Sequence, residues 1–172
     1  MIHRAYIGID PGTSPKAPGA AAIMQGRTIE VRDWDGYEEM TEQIRVWMML
    51  YDVQIAIIEQ VHAISYPVRN RRSGAIEMKS QKGSANFKFG ENYGWWQGLF
   101  WGLGIKHEMA LPGAWMSQFP LQAKIKKADK PSLDYARQQF PAVDLKLQKN
   151  HGRADALLIA DYARRKHGSP LR

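Results

Sequence analysis

The chain has 172 residues, a formal net charge of +7 and a pI of about 9.7. That length suits a single domain over residues 1–172 that folds without staples, and the absence of cysteine excludes disulfides and thiolate metal sites while fitting a reducing cytosol. Met1 to Asp10 lacks the long apolar run of a secretory signal, and no stretch reaches about 18 uninterrupted apolar residues, so neither export nor a membrane span is expected and a cytoplasmic location is.

Ala5 to Asp10 (AYIGID) is a short apolar run closed by the turn residues Pro11-Gly12-Thr13, which predicts a buried strand. Gly19 to Met24 (GAAAIM) and Thr28 to Trp34 (TIEVRDW) predict two more, with Gln25-Gly26-Arg27 as their hairpin loop. From Tyr37 to Tyr51 the apolar residues Met40, Ile44, Trp47 and Met48 have helical spacing. Gln54 to Glu59 (QIAIIE) is a fourth apolar run, ending in an acid. About thirty polar, basic residues without a clear period follow, and a long loop is expected there. Helical character resumes near Glu91 and runs to about Leu103. Ile105 to Ala110 predicts a fifth strand, and Pro112 to Phe119 and Pro131 to Phe140 predict short helices, the second opened by its proline. The last helix spans His151 to about Lys166. The sum is an α/β fold, a mixed five-stranded sheet flanked by helices, whose strand order the pattern leaves open.

The positive charge is clustered. Between Gln60 and Gly90 stand Arg69, Arg71, Arg72, Lys79, Lys82 and Lys88 against one acid, Glu77, and a second cluster holds Lys124, Lys126, Lys127 and Lys130. Clustered cations gain affinity for polyanions by releasing phosphate counterions, which points to nucleic acid. Tyr66, Phe87 and Phe89 lie among these cations. They either tack the loop onto the core or stack on unpaired bases, with Lys88 on a phosphate. Gly94, Gly98 and Gly102 recur among Trp95, Trp96, Phe100 and Trp101. Such a glycine stripe permits close backbone approach within the fold or across a dimer, and a small domain hides few tryptophans, so a dimer interface is expected.

Three carboxylates stand out by position. Asp10 ends the first strand, Glu59 ends the fourth, and Asp155 lies near the start of the last helix. One such acid is explained by a solvated strand end. Two strand-end acids and one on a helix suggest a cluster at the edge of a sheet, suited to hard divalent cations. Two such ions clamp the attacking and leaving oxygens of a phosphodiester. At roughly 100° per residue Asp155 shares a helix face with Leu158, Ile159 and Tyr162, with Arg153 and Arg164 opposite. His151, four residues earlier, falls on the same face, as a metal ligand, as a proton acceptor for the attacking water, or simply as a helix-start residue facing water.

Taken in order, GIDPG (Gly8–Gly12), IIEQVHA (Ile57–Ala63) and HGRADALLIADYARR (His151–Arg165) resemble the acidic motifs of RuvC-type Holliday junction resolvases, the divergent branch of bacteriophages and prophages. Ala85–Ile105 and the run from Pro112 and Trp115 through Lys130, Ser132 and Phe140-Pro141 resemble that branch too, so nearly the whole chain is covered. The resemblance implies an RNase H-like fold, a homodimer, two Mg²⁺ or Mn²⁺ ions per active site, and paired nicking of four-way DNA junctions in a bacterial or phage-infected cell. Asp10, Glu59 and Asp155 match the positions of its metal ligands. Many members carry a further acid or His three residues before the final Asp, where this chain has Gly152, and His151 is the nearest substitute. Other nucleases of this fold, cutting branched DNA or RNA–DNA hybrids, would use the same acids. A junction-binding protein without catalysis would not need all three. GIDPGT also resembles the phosphate loop of actin-like sugar kinases, but those need two such domains, more than 172 residues supply.

Overall fold

The computed structural model describes residues 4–12, 19–60, 65–69, 73–80, 83–121 and 130–168. Strands β1 (Arg4–Asp10), β2 (Ala20–Gln25) and β3 (Thr28–Asp33) form an antiparallel meander. Helix α1 (Tyr37–Leu50) then carries the chain to β4 (Asp52–Glu59), which lies parallel to β1. A hairpin follows, β5 (Ser65–Arg69) paired with β6 (Ile76–Ser80), and then the long helix α2 (Gly83–Gly102). Strand β7 (His107–Ala110) joins the sheet parallel to β4. Helices α3 (Pro112–Met116), α4 (Pro131–Gln139) and α5 (His151–His167) complete the fold, with a 3₁₀ turn, Gln148–Asn150, leading into α5. The sheet order is β3-β2-β1-β4-β7, a mixed five-stranded sheet as expected.

Period-two alternation divides the side chains between two cores. Ile7, Ile9, Ile23 and Ile58 face α1 and α2, packing with Met40, Ile44, Trp47, Trp96 and Phe100. Tyr6, Ala22, Met24, Ile55 and Ile57 face α5, with Trp115 and Leu133 from α3 and α4. A fully buried Ile or Leu contributes roughly 1.5–3 kcal/mol, so the two layers together hold the sheet between helices. Helix α5 lies directly on β1. A Cβ added to Gly8 would sit 2.2 Å from both the Ala156 carbonyl oxygen and the Ala160 nitrogen, so only glycine admits this helix.

Two expectations are corrected. The long loop after Glu59 contains the β5–β6 hairpin, and α2 begins at Gly83 rather than near Glu91. Pro67 in a short, charged strand hides the hairpin from pattern reading. In α2 the aromatics and glycines leave no single apolar stripe to mark its start. Among the described residues the glycine stripe makes no close approach: a Cβ at Gly94, Gly98 or Gly102 would meet nothing within 4 Å. Trp96 and Phe100 are core, whereas Trp101 is 83% exposed. No helix among the described residues is long and apolar enough to cross a membrane.

Candidate active site

Strand and helix periods bring the acids together. Gly8 meets α5 at Ala156 and Ala160; two residues on along β1, Asp10 meets Gly152, one helical turn earlier. Two strand residues advance about 6.6 Å and four helical residues about 6 Å, so the match holds along both elements. Glu59 has the same parity in β4 as Ile55 and Ile57 and falls on the α5 side. The β1–β4 register ends at Ile9 opposite Ile58, which leaves Asp10 and Glu59 as the next neighbours at the carboxyl ends of two parallel strands. Asp155 completes the group from the first turns of α5.

Each carboxylate has a structural partner. Gly12 N–H donates to Asp10 Oδ1 at 2.9 Å, and Trp115 Nε1 donates to Glu59 Oε1 at 3.0 Å. The Ser132 hydroxyl hydrogen-bonds Asp155, whose Oδ1 is nevertheless sealed from solvent without a partner among the described residues. Burial, then the charges of Asp155 and Glu59, holds the Asp10 carboxyl well above its ordinary range, with the Gly12 bond pulling the other way. Glu59 is pushed up to about 7 by burial and by Asp155, against the Trp115 bond. Burial also raises Asp155, eased by Ser132, His151 and Lys130. The three acids therefore feel one another's charge. Among the described residues, however, no three His, Asp or Glu side chains stand close enough to hold one metal ion together. The donor chemistry still fits a hard divalent cation: oxygen ligands with raised proton affinity, one of them an orphaned carboxylate oxygen.

The departure at Gly152 acquires a geometric meaning. A Cβ there would lie 2.9 Å from Asp10 Oδ2, so the position three residues before Asp155 does face the site, but as bare backbone. His151 lines a small cavity of about 30 Å³ beside Asp10, with Gly19, Asp33, Lys149, Gly152 and Arg153. It is half-buried and its charge acts on Asp155, so it is not a helix-start residue turned wholly to water. Arg153, expected on the outer face of α5, instead reaches across to β3, where Nη1 pairs with Asp33 Oδ2 at 3.0 Å. Arg164 likewise turns to the buried Asp161, whose two oxygens it shares with Arg165.

The expected nucleic-acid contacts divide. Lys130 flanks α4, half-buried and acting on Asp155. Tyr66 and Arg69 lie in β5, registered opposite Lys79 and Ile76. Phe87 is 75% exposed on α2, and Lys88 and Phe89 belong to the same helix, not to a loop. Arg71, Arg72, Lys82, Lys124, Lys126 and Lys127 lie outside the described residues. Sequence reasoning assigned no site role to Trp115, Ser132, Lys149 or the Asp33–Arg153 pair. The one signal for Arg153 was its place two residues from Asp155.

In sequence the chain matches no family profile and no curated protein. In fold it is similar to T. thermophilus RuvC in complex with Holliday junction substrate, with a TM-score of 0.52 and 17% identity over 96% of this chain and 97% of that one. The chain is a distant structural match to the RuvC fold, with the mixed sheet and flanking helices of the RNase H-like type.

Proposed function

We propose that this protein is a metal-dependent endodeoxyribonuclease of the RNase H-like superfamily that acts on branched DNA, and that it resolves four-way junctions by paired phosphodiester hydrolysis. One observation carries the reading: Asp10, Glu59 and Asp155 converge at the carboxyl ends of β1 and β4 against α5, each with a raised proton affinity and one with an orphaned oxygen. The fold held in common with a junction-bound nuclease supports it.

Asp10, Glu59 and Asp155 would hold Mg²⁺ or Mn²⁺, two ions per site, which when bound supply Lewis-acid charge to the phosphodiester and a more acidic water. Gly12 and Trp115 fix the orientation of the first two carboxylates, and Ser132 that of the third. His151 stands beside Asp155 and the cavity at Asp10, placed to ligate or to take a proton from water at its imidazole. Lys130, near Asp155, and the basic segment after Gln60 would bind the phosphates of the branched substrate, as a homodimer would for two cuts.

The test is a cleavage panel of four-way junction, flap, linear duplex and RNA–DNA hybrid, each with Mg²⁺, Mn²⁺ or EDTA. Metal-dependent paired cuts in the junction are expected. Preferential cutting of flap or hybrid moves the substrate to another nuclease of this fold. Junction binding with no cleavage in either metal replaces the enzyme by a binding protein.

A further inference from the structure

A groove of about 510 Å³ runs between the edge strand β3 and the first turn of α1, with Arg32, Asp33, Trp34, Glu39 and Arg153 among its lining residues. The small cavity beside Asp10 is also walled by Asp33 and Arg153. Their ion pair is thus the partition between the groove and the acidic site. Arg153 is poorly served by it. Asp33 reaches one terminal nitrogen through one oxygen, whereas the guanidinium fork offers five donors and favours an anion that takes two at once. Its Nε is sealed from solvent, with no hydrogen-bond partner among the described residues. Asp33 itself is largely exposed, free to swing into water. Two further cations flank this path, Lys149 on the wall of the small cavity and Arg32 in the groove, both exposed. Asp35 and Glu39 occupy the α1 side and disfavour a phosphate there.

We propose that Arg153 binds a backbone phosphate of the nucleic-acid strand that enters the acidic site, and that Asp33 is the carboxylate which occupies its guanidinium until that phosphate arrives. The inference rests on the nuclease reading and adds to it the direction of the strand, from the acids across Arg153 into the groove along β3. A phosphate presents two oxygens to the fork and satisfies Nε as well as Nη1, which a single Asp33 oxygen does not. Removing Asp33's charge therefore helps the substrate, and removing Arg153's charge harms it. A simple clamp between β3 and α5 gives the same sign for both.

The experiment is equilibrium binding of a fluorescent four-way junction by the intact chain in EDTA, over a range of salt, for wild type, Arg153→Gln, Arg153→Lys and Asp33→Asn, with a thermal melt of each. Arg153→Gln should bind several-fold more weakly and lower the log–log salt slope by about one, the signature of one lost phosphate contact. Arg153→Lys should keep the slope, and Asp33→Asn should bind more tightly than wild type. Wild-type affinity and slope for Arg153→Gln overturn the inference, as does weakened binding by Asp33→Asn. Should Arg153→Gln fail to fold, Asp33→Asn decides: tighter binding than wild type supports the inference and weaker binding overturns it. Failure of the wild-type chain to bind any junction overturns the nuclease reading and this inference with it.

Discussion

Burial makes charge at Asp10, Glu59 and Asp155 costly to the fold, a cost that the proposed cation would offset. Asp10→Asn, Glu59→Gln and Asp155→Asn should each lower cleavage by about a hundredfold or more while junction binding persists, because a neutral amide weakens the hold on an ion that carries transition-state charge. Near-wild-type turnover by any one variant removes that residue from the site. The same carboxylates set a pH dependence of stability. Glu59 is held up to about 7, above its unfolded value, so it contributes stability that is fully present below the unfolded pKa and lost as pH rises through about 7. Between pH 5 and 8 the melting temperature of the metal-free wild type should therefore fall relative to that of Glu59→Gln. Parallel melting curves across that range would show that Glu59 carries no such penalty. His151 makes a separate prediction. His151→Ala should slow cleavage by roughly a hundredfold, the range of lost acid–base assistance, and His151→Asp should recover part of the rate with Mg²⁺. An unchanged rate for the alanine variant in both Mg²⁺ and Mn²⁺ ends its assignment.

At the scale of elements, two glycines separate folding from function along one strand–helix contact. Gly8→Ala drives a Cβ into the backbone of α5, 2.2 Å from two of its atoms, and neither strand nor helix can yield. It should destabilise by about 3 kcal/mol or more, in the upper range of overpacking, or abolish soluble expression. Gly152→Ala meets a side-chain oxygen of Asp10 at 2.9 Å, which can rotate. It should fold with a melting temperature near that of wild type yet cleave poorly, because it displaces the Asp10 carboxylate. Equal losses of stability in the two variants would contradict this division. The contact also shows what the sequence reveals. AYIGID, QIAIIE and the inward stripe of α5 are periodic, so β1, β4 and α5 and their acids are legible without coordinates. The β5–β6 hairpin is not, because Pro67 and its charged neighbours imitate a loop. Nor are Trp115 beside Glu59 and Asp33 beside Arg153, pairs 56 and 120 residues apart whose meeting depends on how the helices dock against the sheet.

For the molecule as a whole, the distribution of charge and apolar surface bears on how it would engage the four-way junction proposed as its substrate. The chain leaves the sheet at Gln60, next to Glu59, toward the basic segment in sequence, and the charge of Lys130, at the start of α4, acts on Asp155. On the opposite side of the sheet, α1 ends in Met49 at 77% and Leu50 at 63% exposure, and α2 ends in Trp101 at 83% exposure, next in sequence to Gly102. If about six phosphates are contacted, affinity for a four-way junction should fall roughly a thousandfold between 50 and 200 mM salt. If two copies pair through α2, each protomer would bring one acidic site, and the proposed nuclease would cut two strands within one complex. Trp101→Glu, which puts a charge on that face away from the acids, should shift light scattering from dimer to monomer at micromolar concentration. The same variant should turn paired cuts into single nicks while keeping the nicking chemistry. A wild-type monomer at that concentration would remove the dimer, and a Trp101→Glu dimer with paired cuts would place its interface on another face.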